Sequence, residues 1–119
     1  MKLPLRVTLR HMEPSPALEE EIRSRVSRLD ETYPLIRCSV VVESPHHHAQ
    51  KGRLFSAHVS VSVPGASFVV THEPDEDPYM AVRRSFDAAR RRLAGNLARR
   101  RGKRRQAIVE TLRLAEGIG

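Results

Sequence analysis

The chain has no tryptophan, two tyrosines, three phenylalanines and one cysteine in 119 residues, and each shortage removes a class of function. With a single thiol, Cys38, no intramolecular disulfide can form, and a lone cysteine inside a β-branched run reads as a small buried apolar side chain. Five aromatics cannot supply a series of stacking platforms, which disfavours recognition of single strands through their bases and favours contact with folded RNA through its phosphates. No apolar run approaches the length of a membrane span. Residues Met1 to Arg10 alternate apolar and basic side chains where a secretory signal would need a continuous apolar stretch, so the expected location is the cytoplasm. There is no phosphate-cradling glycine loop and no nucleophile in a recognisable context. No catalytic residue, no cofactor and no small-molecule substrate are therefore expected.

What is present fits one domain around one core, at 13.5 kDa with 39% apolar and 29% charged residues. Acidic residues are scarce at one end only. Residues 1–82 hold nine Lys/Arg and eleven Asp/Glu, a net −2, whereas residues 83–119 hold twelve Lys/Arg and three Asp/Glu, a net +9. Such a gradient points to a polyanionic partner. The cations from Arg83 to Arg101 are all arginine, the side chain suited to bidentate phosphate contacts.

Alternation of Leu3, Leu5, Val7 and Leu9 with polar residues predicts a half-buried first strand. Ser15-Pro16 supplies a cap and a first-turn proline, and Leu18, Ile22, Val26 and Leu29 recur at helical spacing, so a helix is expected from about Pro16 to Glu31, stopped by Pro34. Leu35 to Glu43 predicts a second strand with Ile36, Cys38, Val40 and Val42 on one side. A loop from Ser44 to Gly52 leads to a third strand, Phe55 to Val63. Pro64-Gly65 fits a tight turn into a fourth strand, Ala66 to Thr71. Asp77-Pro78 then opens a second helix whose Val82, Phe86, Ala89, Leu93 and Leu97 form one apolar stripe. Gly102 is expected to end or weaken that helix, with Ile108, Val109, Leu112 and Ala115 able to form a short further helix. The order β-α-β-β-β-α predicts an α+β fold: one four-stranded mixed sheet, its first two strands joined by a right-handed crossover, with both helices packed on one face.

Helical geometry then sorts the arginines. Arg84 and Arg91 point away from the sheet, Arg83 and Arg90 flank one edge of the apolar stripe, and Arg92 and Arg99 flank the other. Between Arg83 and Arg105 the only acid is Asp87. Like charges at i, i+4 destabilise a helix by a few tenths of a kcal/mol per pair, so a solvated surface is the less economical explanation and an anion that relieves the ridge the better one. Arg23, Arg25 and Arg28 on the first helix add cations on the same side of the sheet.

These residues resemble a known family, the ribosome hibernation-promoting factors and ribosome-associated translation inhibitors, also called sigma-factor modulation proteins. The resemblance spans roughly residues 3–101. It rests on Leu5-Arg6-Val7-Thr8, on Ser15-Pro16-Ala17-Leu18 leading to Leu29-Asp30-Glu31-Thr32-Tyr33, and on Cys38-Ser39-Val40-Val41-Val42-Glu43. Most specific is Asp77-Pro78-Tyr79-Met80-Ala81-Val82 followed by Phe86-Asp87 and Arg91-Arg92-Leu93, which looks like the family's aspartate-x-tyrosine-x-alanine opening of the second helix. The resemblance implies a short-form factor that binds the small ribosomal subunit and its RNA in the decoding channel. There it would exclude messenger and transfer RNA and stabilise idle ribosomes under stress or in stationary phase, as a monomer, without membrane contact and without pairing ribosomes directly. Arg91 matches a basic family position, whereas Gly95, Asn96 and Leu97 stand where relatives tend to carry Lys or His. On this reading residues 1–102 are a ribosome-binding domain and residues 103–119 a basic tail, partly helical or disordered. The RNA-binding set is Arg23, Arg25, Arg28, Arg83, Arg84, Arg90, Arg91, Arg92, Arg99, Arg100 and Arg101.

Two other classes compete. A sheet backed by two helices also suits a generic double-stranded RNA module. His46-His47-His48, with His58 and His72, suggests a metal site, but consecutive loop residues rarely converge on one ion and no Cys or carboxylate stands at ligand spacing, so no metal is expected. Glu73 to Asp77 lacks the spacing and glycine of a calcium loop and reads as a capping turn.

Overall fold

The computed structural model describes residues 3–44, 47–48 and 52–118. Its elements are β1 (Leu5–Arg10), α1 (Pro16–Thr32), β2 (Arg37–Glu43), β3 (Ser56–Val63), β4 (Ala66–Thr71) and α2 (Pro78–Ile118). The main sheet has the order β1-β2-β3-β4, with the first pair parallel and the other two antiparallel. This is the expected α+β arrangement. Where the sequence suggests only a loop, a two-residue antiparallel ladder pairs His47–His48 with Gly52–Arg53. Of the three consecutive histidines considered for metal, His46 lies outside the described residues.

Alternation along the strands builds the core. Val59 stands between Val40 on β2 and Val70 on β4, and Leu5 and Leu9 lie opposite Cys38 and Val42. The buried strand residues meet Leu18, Ile22, Val26 and Leu29 of α1 and Val82, Phe86, Ala89 and Leu93 of α2 in one apolar cluster. Both helices thus cover one face, and the other face is left open. On β3 and β4 that open face carries Ser56, His58, Ser60, Ser62, Ser67, Val69 and Thr71, without a lysine or arginine. Ile36 departs from the expected pattern. It precedes β2, is half exposed, and joins the sheet only through its N–H, which donates to the Ser62 carbonyl at 2.7 Å.

The helix starts follow their caps. The Ser15 hydroxyl accepts from Leu18 N–H at 3.2 Å, and the Asp77 carboxylate accepts from Tyr79 N–H at 2.9 Å. Gly65 in the β3–β4 turn has φ 82, a conformation that glycine adopts without steric cost. A hydroxyl completes the end of the β3–β4 ladder. That ladder runs to His58↔Thr71; one rung further, the buried Ser85 of α2 donates to the Ala57 carbonyl at 2.7 Å and accepts from His72 N–H at 3.3 Å. Helix and sheet are locked together there by a hydroxyl that satisfies both backbone groups.

The end of α2 corrects an expectation. Gly102 does not terminate it: the helix continues to Ile118, 41 residues in all. At about 1.5 Å per residue that is roughly 60 Å, more than twice the length of an eight-residue strand at about 3.3 Å per residue. Beyond the β3–β4 turn the helix therefore overhangs the sheet, and the molecule measures 75 × 32 × 16 Å. One glycine costs about 1 kcal/mol in a helix, which strong helix formers on both sides outweigh.

Candidate nucleic-acid interface

The structure divides the arginines into four settings. On the α1 side of α2, Arg90 faces Arg25 and Arg28 across a cleft of about 270 Å³ that also includes Tyr33, Phe86 and Asp87. The position follows from the apolar stripe: seating Phe86 and Leu29 in the core brings the flanking guanidinium groups to the seam between the helices. Arg25 is partly committed, its Nε donating to Glu21 at 2.8 Å. Arg28 and Arg90 are exposed.

On the other edge, Arg91, Arg92 and Arg99 surround a shallow hollow floored by Val70, Ala88 and Gly95. Arg92 lies over the Phe68 ring, 4.7 Å from its centroid. That contact holds the guanidinium plane near the core rim by cation–π attraction. Gly95, without a side chain, leaves the floor low between Arg91, Arg92 and Arg99.

The third setting is structural. Arg84 points outward as its helical position requires, but its Nη1 meets the Asp75 carboxylate at 2.9 Å. Asp75 also accepts from Asp77 N–H at 2.9 Å, and its backbone exchanges two hydrogen bonds with Phe55. Arg84 thus helps bind the helix start to the entrance of β3. The sequence hid this partner because it lies in the preceding turn, outside the helical spacings. Arg100 is likewise engaged, donating to the Pro64 carbonyl.

In the fourth setting Arg23 and Arg83 are exposed away from both hollows, and Arg101 stands on the overhang. Lys103, Arg104 and Arg105 follow on the overhang, joined to Arg99 to Arg101 because the helix continues through Gly102, and Arg113 beyond them pairs with Glu110 at 3.8 Å. Past them Ile108, Leu112 and Leu114 are exposed.

A polar cluster lies on the open face of the sheet. The His58 Nε2–H donates to Glu43 at 2.9 Å, its Nδ1 is 2.7 Å from the Thr71 hydroxyl, and Arg10 is 3.9 Å from the same Glu43. Strand register, which the sequence does not print, brings these residues together. Among the described residues, no group of three or more His, Cys, Asp or Glu is placed to hold a metal ion. Among them, too, no helix is long and apolar enough to cross a membrane. The arrangement suits electrostatic and bidentate contact with an extended anionic surface.

Comparison with known proteins agrees with this architecture. The family model described as Sigma 54 modulation protein / S30EA ribosomal protein matches residues 5–101. A ribosomal subunit interface protein from Coxiella burnetii superposes with a TM-score of 0.66 at 16% identity, covering 81% of this chain and 99% of that one. The N-terminal domain of Protein Y from Thermus thermophilus gives 0.60 at 22% identity, covering 76% and 96%. At these identities the two structures speak for the fold. No curated protein matches the chain.

Proposed function

Because the chain belongs to the Sigma 54 modulation protein / S30EA ribosomal protein family, we propose that it is a cytoplasmic ribosome-associated translation inhibitor. It binds RNA of the small subunit in the decoding channel as a monomer and keeps messenger and transfer RNA out by occupying their space. The mechanism is occupancy, with no bond made or broken, and its result is a protected, idle ribosome. The observation that carries this reading is the grouping of Arg25, Arg28 and Arg90 on one edge of α2 and of Arg91, Arg92 and Arg99 on the other. Both groups lie on the helix-bearing side, so a single phosphate-rich surface can meet both. Arg23, Arg83 and Arg101 extend the same basic surface, while Arg84 and Arg100 serve it by fixing α2 in place.

The test is cosedimentation with small subunits from resting cells, with and without competing initiator transfer RNA. Binding is expected at low ionic strength, with displacement by the competitor and weaker binding to free duplex RNA. Arg90→Gln/Arg91→Gln should lower the slope of log K against log salt by about 1.4 to 1.8, at about 0.7 to 0.9 per phosphate contact. Equal affinity for free duplex and subunit would favour a generic RNA module, and no binding to subunits would end the proposal.

A further inference from the structure

Along the body of α2 the cations occupy the sides and back of the helix, because the sheet takes the remaining side. Where the helix leaves the sheet the distribution changes. From Arg99 to Arg105 six of seven residues are cationic, and all seven are exposed. Advancing about 100° per residue, Arg101 and Arg105 share one flank and Arg99 and Lys103 the opposite one. Arg100 and Arg104 continue the side that higher up presents Val82, Phe86 and Leu93 to the sheet. The segment thus presents cations on both flanks and on the sheet side, with Gly102 on the side turned away from the sheet.

Neutralisation does not come from within the described chain. No acidic residue stands between Asp87 and Glu110, and no ion pair among the described residues engages Arg99, Arg101, Lys103, Arg104 or Arg105. Three successive like-charge pairs at i, i+4 (99 with 103, 100 with 104, 101 with 105) oppose the helix by a few tenths of a kcal/mol each. A flat anionic surface would relieve one flank and leave the other.

We propose that residues 99–105 form a cationic collar held between two phosphate-bearing strands of a folded RNA. This inference rests on the ribosome-binding reading above and deepens it: the collar shares Arg99 with the body surface and carries the contact past residue 101, where the family match ends. The two strands must stand at least a helix diameter apart, about 10 to 12 Å with side chains, as at a junction or an opened groove. An anionic membrane fits less well: a helix lying in a lipid interface confines its cations to one face, and this collar does not.

The experiment titrates the full chain onto purified small subunits over a salt series, using wild type, Arg101→Gln/Arg105→Gln, Arg99→Gln/Lys103→Gln and the fourfold variant. Vesicles containing phosphatidylserine form a parallel arm. At about 0.7 to 0.9 per phosphate contact, each double variant is expected to lower the salt slope by about 1.4 to 1.8 and the fourfold variant by about 3. Helix content by circular dichroism should hold or rise as like-charge pairs are removed. An effect from only one flank would place the helix on a one-sided surface and overturn the collar. So would no effect from either flank, in which case a slope still lowered by Arg90→Gln/Arg91→Gln would leave the body reading standing. Failure of the wild type to bind subunits at low salt would remove both. Vesicle binding that needs the collar, with subunit binding indifferent to it, would reassign these cations to lipid.

Discussion

At Ser85, α2 turns a hydroxyl toward the sheet between Val82 and Phe86, and that hydroxyl stands in for the missing rung between Ala57 and His72. Ser85→Ala removes it and leaves a buried carbonyl and a backbone N–H unmatched. The expected loss is about 1 to 3 kcal/mol, read as a lower midpoint in urea with an unchanged slope. An unchanged midpoint would mean that water completes the rung as well as the side chain does. Nothing in the local sequence distinguishes Ser85 from a solvent-facing serine, since its role depends on two backbone groups 13 and 28 residues away. Arg84 shows the same limit from the opposite direction. Its outward position followed from helical geometry, whereas its pairing with Asp75 depends on the turn that leads into the helix. Cys38, by contrast, was legible: a lone cysteine in a β-branched run proves to be buried, and desolvation raises its thiol from an ordinary value of 9.0 to about 11. A raised pKa means that the folded state favours the protonated thiol, so its contribution is intact below pH 9 and is lost as pH rises toward 11. Wild type should therefore lose more urea resistance than Cys38→Ala between pH 8 and 10.5. Parallel losses would show the thiol to be titrating as freely as in the unfolded chain.

At the scale of elements, strands and helix starts were readable because the signals act over a few residues. Period-two alternation set β1 and β3, the Pro64-Gly65 turn set β4, and Ser15-Pro16 and Asp77-Pro78 marked where α1 and α2 begin. The end of α2 was not, because Gly102 is a weak local signal opposed by many small ones. A Cβ at Gly102 would meet nothing within 4 Å, so the glycine is not there to permit a close approach. Gly102→Ala is expected to add helix content and to stabilise the overhang by about 0.5 to 1 kcal/mol, measured by far-UV circular dichroism and by slower tryptic cleavage between Arg99 and Arg105. If neither changes, Gly102 does not limit the helix. The contrast with Gly65 is instructive: its positive φ makes any side chain strained, and a Cβ there would lie 3.4 Å from the Arg100 guanidinium that closes the turn.

Across the whole molecule, the charge gradient along the sequence becomes a spatial one. The basic C-terminal stretch of the chain lies in a single helix, so its cations run along the helix-bearing side and out onto the overhang. The reverse of the molecule is different in kind. Over β3 and β4 it offers hydroxyls, one imidazole and one valine, and nothing that attracts a polyanion. Over β1 and β2 the same face carries the exposed Arg6, Arg10 and Arg37, so its few cations stand at one side of the sheet only. A polyanion reaching this reverse side would find purchase at the β1–β2 margin and none over the hydroxyl-lined β3–β4 half.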